Sequence, residues 1–414
     1  MNIESLAPLA VLVLGWAFVS GALQRQEITG PFVFVTAGAL LANDAWGPFP
    51  IAVETASVHA LAEIALALVL FSDAVRIDLR GLRRHAALPA RLLLVGLPVT
   101  MALGFGAALL LLSDLPWELA LLVAAALAPT DAALSSQVVG DKRVPGRLRV
   151  ALNVESGLND GMATPVVALA IALAATVLGL GTVERAGIGG ALLELGLGLA
   201  VGGGFGLIGA WGVTVSSRRG WADADALRIA TFATGVGAFT LATAAGGNAF
   251  IAAFVGGLVF GLVADRAQCD DQNLSALSEL GGELMTLVVW FLFGAALIPL
   301  VIEYASLAIV GYALLSLTVV RIVPVVLSMP GSGLPWRDVL FLGWFGPRGL
   351  ASVVFALLTV ESLGESEAVS VAVATIATTV ACSVVLHGLT AGPAAARYGM
   401  EDDMVVRGRP SRLG

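Results

Sequence analysis

Val154-Glu155-Ser156-Gly157-Leu158-Asn159-Asp160-Gly161 sets two carboxylates, a hydroxyl and an amide inside a stretch, residues 150–178, that otherwise reads as a membrane-spanning helix. Helical spacing puts Ser156 and Asp160 four apart on one face, and Glu155 and Asn159 four apart on the neighbouring face. A carboxylate at the bilayer centre is costly even on the lower insertion scales. Its first reading is therefore an ion or proton site.

The rest of the chain supports a membrane setting. Of 414 residues 58% are hydrophobic and only 13% charged, with mean hydropathy +0.93, too apolar for a water-soluble fold of this length. The fold class is an all-α polytopic membrane protein. Its 49 glycines suit close helix packing and interrupted helices in lipid. Cys269 and Cys382 lie far apart without metal-type spacing, and His59, His85 and His387 form no cluster, so neither a disulfide nor a zinc site is expected. A net charge of −8 argues against a nucleic-acid partner. No cleavable signal peptide is expected, because the first apolar run lacks a basic leading segment.

Apolar runs long enough to span about 30 Å of hydrocarbon fall near 5–23, 29–42, 56–76, 88–112, 116–138, 150–178, 186–215, 226–244, 247–264, 280–301, 304–328, 337–360 and 366–390. That makes thirteen spans, to within one, because the second is short and the pair beside Gly246-Gly247 is poorly divided. Arg76, Arg80, Arg83 and Arg84 follow the third run, Lys142, Arg143, Arg147 and Arg149 the fifth, and Arg218 and Arg219 the seventh. Arg185 is the only basic residue in the even-numbered connections, so the positive-inside rule puts the odd ones in the cytoplasm and the N-terminus outside. Residues 1–395 form one transmembrane unit, and 396–414, with Arg397, Arg407, Arg409 and Arg412, a short cytoplasmic tail without a regulatory domain.

Two runs are interrupted. The fifth carries Ala128-Pro129-Thr130-Asp131 and the twelfth Phe345-Gly346-Pro347-Arg348-Gly349, where proline removes a backbone donor and crowds the preceding turn. One such interruption in each half of the chain is the mark of an inverted-repeat secondary transporter with its site near the midplane. Asp131 and Arg348, both ionisable, lie in the breaks. At about 1.5 Å per residue, Asp160 is about 15 Å from the inner end of its helix, and Asp131 is deep enough to face it. Arg321, flanked by valines in the eleventh run, stays charged and needs a buried partner; Glu155 is the acid at matching depth.

At these residues the chain resembles the monovalent cation:proton antiporter family, in its NhaP-type sodium/proton exchanger branch. The carrying motifs are Pro129-Thr130-Asp131, Glu155-Ser156-Gly157-Leu158-Asn159-Asp160, Arg321 and Gly346-Pro347-Arg348-Gly349, in that order along nearly the whole chain. The resemblance implies a homodimer in the cell (inner) membrane, each protomer having a dimerisation part and a six-helix ion-transporting part in which the fifth and twelfth helices cross at their unwound centres. It implies that Asp160 is the main cation and proton carrier, that Asp131, Thr130 and Ser156 line the same Na+ site, and that Glu155 and Arg321 form a structural ion pair. The Asn159-Asp160 pair looks like the electroneutral branch. Pro347 departs from the most familiar exchanger version of its motif, which puts the local backbone of the twelfth helix in question.

Each residue also has a plainer reading. Asp160 could be a neutral packed acid, and Asp131 could cap the second half of the broken fifth helix. Ser156 could bond its own helix backbone. Asp73, three residues before Arg76, is either a site residue or half of an interfacial pair. Arg348 either neutralises helix ends at the crossing or touches the ion; His387 is either packed or a pH sensor. Carboxylate, hydroxyl and carbonyl oxygens suit a hard monovalent cation such as Na+, Li+ or K+. Burial favours the neutral form of a carboxyl group and a bound cation its ionised form, so one group serves both species. No cofactor is called for; cation and proton are the cargo, and lipid the surroundings. A cation channel is the main alternative, and it would want a continuous polar pore. An intramembrane enzyme would want a nucleophile with its base or a metal pair, and a scaffold would not explain two midplane acids.

Overall fold

The computed structural model describes residues 6–24, 26, 28–43, 46–49, 56–76, 87–131, 134, 143–180, 188–266 and 273–407. Outside them lie most of the expected inner half of the fifth span, several of the basic connection residues (Arg80, Arg83, Arg84, Lys142, Arg185), and His85, Cys269 and the end of the expected tail. The described secondary structure is helical. In chain order it comprises α1 (Leu6–Gln24), α2 (Gly30–Leu41), α3 (Ala56–Val75), α4 (87–111, with a π turn at Leu92–Gly96), α5 (Trp117–Ala126), α6 (Gly146–Val177) and α7 (Ile188–Arg218). There follow α8 (Ala224–Ala244), α9 (Ala249–Arg266), α10 (Ala276–Glu303), α11 (307–328), α12 (Trp336–Trp344), α13 (Leu350–Leu363) and α14 (Glu367–Arg407).

Seven of these helices, α4, α6, α7, α8, α10, α11 and α14, are long and apolar enough to cross a membrane on length and composition alone. The twelfth expected span is two short helices, α12 and α13, separated by the non-helical Phe345–Gly349. The fifth likewise stops at Ala126, ahead of Pro129. One span differs from the sequence reading. The eleventh span is not continuous: Thr318 interrupts it between Leu307–Leu317 and Val319–Ser328. Past the expected run 366–390, α14 continues as helix to Arg407, and Tyr398 within it is held: its hydroxyl donates to Asp338 Oδ1 at 3.1 Å and its ring packs on Phe341.

Small residues set how closely the helices approach. Gly198, Gly202 and Gly206, each four apart on α7, abut Asn248, Ala252 and Gly256 near and on α9, and a Cβ at any of the three would fall on the facing backbone. Gly257 and Gly261 of α9 meet the carbonyls of Phe71 and Val75 on α3 in the same way, as do Gly38 of α2 and Gly294 of α10 those of Phe291 and Val35. Backbone-to-backbone contact thus joins α7 to α9 to α3, and α2 to α10. Opposite this group stand α5, α6, α13 and α14, whose buried faces (Leu122, Val123, Val353, Phe355, Ile376) belong to the principal core.

Candidate ion site at the crossing of two broken helices

The two breaks meet and satisfy one another. A helix interrupted at membrane depth leaves carbonyls at one cut end and N–H groups at the other without partners, and water is not there to bind them. Here the carbonyls of Ala128 and Pro129 accept from Arg348 Nη1 at 2.8 and 3.1 Å, and that of Ala126 accepts from Ser352 Oγ at 2.6 Å. In the other direction the Asp131 carboxylate accepts the Leu350 N–H at 2.9 Å, at the start of α13, and the Asp131 N–H donates to the Pro347 carbonyl at 2.8 Å. Charges sit where helix dipoles favour them, the guanidinium at a C-terminal end and the carboxylate at an N-terminal one. Gly349 makes the second contact possible, since a Cβ there would land on the Asp131 carboxylate. Both readings of Asp131 thus hold geometrically: it caps α13 and it also faces the cavity described next. Arg348, wholly buried, takes the helix-end role and is absent from the cavity wall.

A third element fixes the twelfth-span break from behind. The Arg348 N–H donates to Ser383 Oγ at 2.7 Å, and His387 on the same turn of α14 contacts Ser383 Oγ at 3.2 Å through Nδ1 and the Trp344 carbonyl at 2.9 Å through Nε2. Nδ1 also lies 3.0 Å from the Ser383 carbonyl, so whether it donates there or accepts from the serine hydroxyl follows the tautomer, while Nε2 reaches the Trp344 carbonyl. His387 therefore ties the last residue of α12 to α14, as a packed histidine does.

A cavity of about 620 Å³ lies between the two groups of helices. Asp131, Thr130, Ser156 and Asp160 line one wall, and Asp73, Arg76, Glu279 and Glu283 the other. One oxygen of Asp160, Oδ1, is buried without a hydrogen-bond partner. Ser156 does not bond its own helix; its hydroxyl lies 3.0 Å from Thr130 Oγ1. Asn159, on the neighbouring face of α6, is placed differently. It does not line the cavity, because its amide nitrogen donates to Thr130 Oγ1 at 2.7 Å and so holds the broken segment against α6. Asp73 lies on the cavity wall, and the ion pair of Arg76 is with Glu279, at 3.4 Å. Glu279 also accepts from the Ser275 hydroxyl. The sequence reading missed Glu279, Glu283 and the buried Trp290 on this wall, although acids at 279 and 283 beside an apolar run were a readable sign.

Behind the cavity Arg321 grips Glu155 through both guanidinium arms, Nη1 to Oε1 at 2.5 Å and Nη2 to Oε2 at 2.8 Å, with each side chain 3% exposed. The interruption at Thr318 starts the second half of α11 two residues before Arg321. Gly346 leaves room for the guanidinium, which a Cβ at that position would displace. Neither member of this pair lines the cavity.

The family's sequence model, described as the transmembrane sodium/hydrogen exchanger, matches residues 9–397. The chain belongs to the sodium/hydrogen exchanger family. Among curated relatives, this exchanger-family chain is 26% identical over 348 residues to a probable Na+/H+ antiporter of Schizosaccharomyces pombe, covering 80% of the chain and 44% of the relative. It is 27% identical over 360 residues to the K+/H+ antiporter NhaP of Alkalimonas amylolytica, covering 84% of the chain and 60% of the relative. It is 26% identical over 372 residues to the Na+/H+ antiporter ApNhaP of Aphanothece halophytica, covering 86% of the chain and 68% of the relative. The chain thus spans about half the length of the first two. Among solved structures, the sodium proton antiporter MjNhaP1 from Methanocaldococcus jannaschii shares the fold, with a TM-score of 0.75 at 18% identity, covering 96% of this exchanger-family chain and 99% of that one.

Proposed function

We propose that the chain is a secondary antiporter that exchanges a monovalent cation, in the first place Na+, for H+ by alternating access. The observation that carries this reading is the Asp160 carboxyl group, with an unpartnered oxygen, on a cavity wall shared with Asp131 and Asp73. In this reading Asp160, Asp131, Ser156 and Thr130 hold the cation, with Asp73 facing them. Oxygen donors of this kind suit hard cations, and the relatives named above include both Na+/H+ and K+/H+ antiporters. Position 159 is an amide turned away from the cavity, so Asp160 is the one carboxylate at its level of α6, which favours electroneutral exchange. Glu155 and Arg321 hold the fold together. Against a channel stands the gathering of polar side chains at one level, with the Phe254 ring packed on Gly161 just past Asp160.

The mouth of the cavity lies where α3 ends and α10 begins, beside Arg76 and Glu279. With the N-terminus outside and the arginine-rich connections in the cytoplasm, that mouth faces inward, and the chain works as a homodimer in the cell (inner) membrane. Single cysteines at Gly81 and Asp141, in connections outside the described residues, are expected to react with impermeant thiol reagents only from the cytoplasmic side. Labelling of both from outside would reverse the orientation.

Exchange itself is tested with purified protein in liposomes, a pH-sensitive dye and a series of chloride salts; proton movement driven by Na+ or K+ gradients is the expected result. In the same assay Gly349→Ala is expected to slow exchange by about tenfold or more, since a misplacement of about 1 Å at a reacting group can cost about a hundredfold. Its added methyl displaces the Asp131 carboxylate. A rate equal to wild type would separate the Asp131 contact from transport.

A further inference from the structure

One face of α6 connects the cavity at Asp160 to a second one. Gly157 on this face lies next to Asp73 of α3, and Gly161, one turn on, is covered by Phe254 of α9, whose Cγ would stand 2.7 Å from a Cβ at that position. One further turn along, Thr164 and Ala168 line a separate pocket of about 320 Å³ at the other end of the bundle. Thr164 Oγ1 donates to the Asp160 carbonyl at 2.8 Å, and four residues of helix correspond to about 6 Å. The two spaces are thus separated along α6 by little more than the turn that Phe254 covers.

The second pocket lies between the same two groups of helices as the first. Its walls are α6 and α13 on one side, and Glu194 of α7 with Asn248, just before α9, on the other. Glu194 and Asn248 also line an adjoining pocket of about 190 Å³. The position of Glu194 is fixed by main chain, because its carbonyl accepts the Asn248 N–H at 2.8 Å where Gly198 lets the two segments touch. Its carboxylate has no ion-pair or hydrogen-bond partner among the described residues. Glu194, an exposed acid near the start of an otherwise uncharged stretch of a spanning helix, is tolerated there where it faces water or a cation.

Resting on the antiporter reading, we infer that the Glu194–Asn248 pocket is a second monovalent-cation binding site, the station from which the cation enters or leaves at the membrane face opposite the Asp73–Glu279 mouth. Glu194 supplies the charge, and Asn248, Thr164 and Ser362 supply neutral oxygens on the wall. The Phe254 ring on Gly161 is the seal between this station and Asp160. Transport past it needs movement of the α6–α13 side relative to α9.

The test compares cation-driven proton exchange in right-side-out and everted vesicles, with Na+ supplied to one face at a time. Glu194→Gln is expected to raise the apparent KM for Na+ by about three- to tenfold when Na+ is supplied to the face on which α6 ends, the effect of removing one local charge on ion concentration. The KM from the other face and the maximal rate stay unchanged, and Glu194→Asp restores the wild-type value. An unchanged KM at both faces, or an equal rise at both, in a protein that still exchanges would overturn this inference alone. Absence of any cation-driven exchange by the wild-type protein would overturn the antiporter reading and this station with it.

Discussion

Asp160→Asn protein reconstituted into liposomes is expected to lose cation:proton exchange by about a hundredfold or more, the scale on which a missing proton-transferring group is felt. Asparagine has nearly the shape of aspartate but neither titrates nor carries charge, so the cavity survives while its shared carrier does not. Asp131→Asn is the informative companion. Asp131 accepts the Leu350 N–H, and an asparagine oxygen can still do so. The variant therefore keeps the cap at the start of α13 and removes only the charge. Strong impairment with near-normal thermal stability would assign Asp131 to the cation; near-normal exchange would leave it as a cap.

Arg321→Ala and Glu155→Ala are each expected to destabilise the protein by about 3 to 5 kcal/mol, because removing one partner leaves the other charge buried and uncompensated. With both side chains 3% exposed, solvent offers little relief. A marked fall in Tm in detergent is the readout for each. Replacing both at once, as Glu155→Leu with Arg321→Met, is expected to recover much of the loss, since apolar side chains of similar volume need no pairing. Full stability in both single variants would contradict the structural role. A stable double variant with normal exchange would confirm that the pair takes no part in transport chemistry.

The features most legible in the sequence are those governed by backbone chemistry or by helical spacing. Pro129 and Pro347 each remove a donor, and the chain is non-helical at both. Ser156 and Asp160, four apart, share one wall, and Glu155 and Arg321, at matching depth in the sequence, meet in a bidentate contact. The interruption at Thr318 could not be anticipated, as neither proline nor glycine stands there. Asn159 looked equivalent to its neighbours because periodicity gives a residue's face and not the partner its side chain finds; that partner, Thr130, comes from the broken segment. Asp73 was ambiguous for a related reason. Only the fold brings Glu279 to Arg76 and leaves the aspartate facing the cavity.

Proton and cation competing for one carboxylate is the centre of this account, and the pH dependence of cation affinity tests it most directly. Initial exchange rates in proteoliposomes, measured across cation concentration at a series of pH values, give the apparent KM at each. If Asp160 carries either species, the protonated form cannot bind the cation, so KM must rise as pH falls through its titration range, and cation binding must release protons. A KM that stays constant across that range, in a protein that still exchanges, would show that proton and cation travel by separate groups.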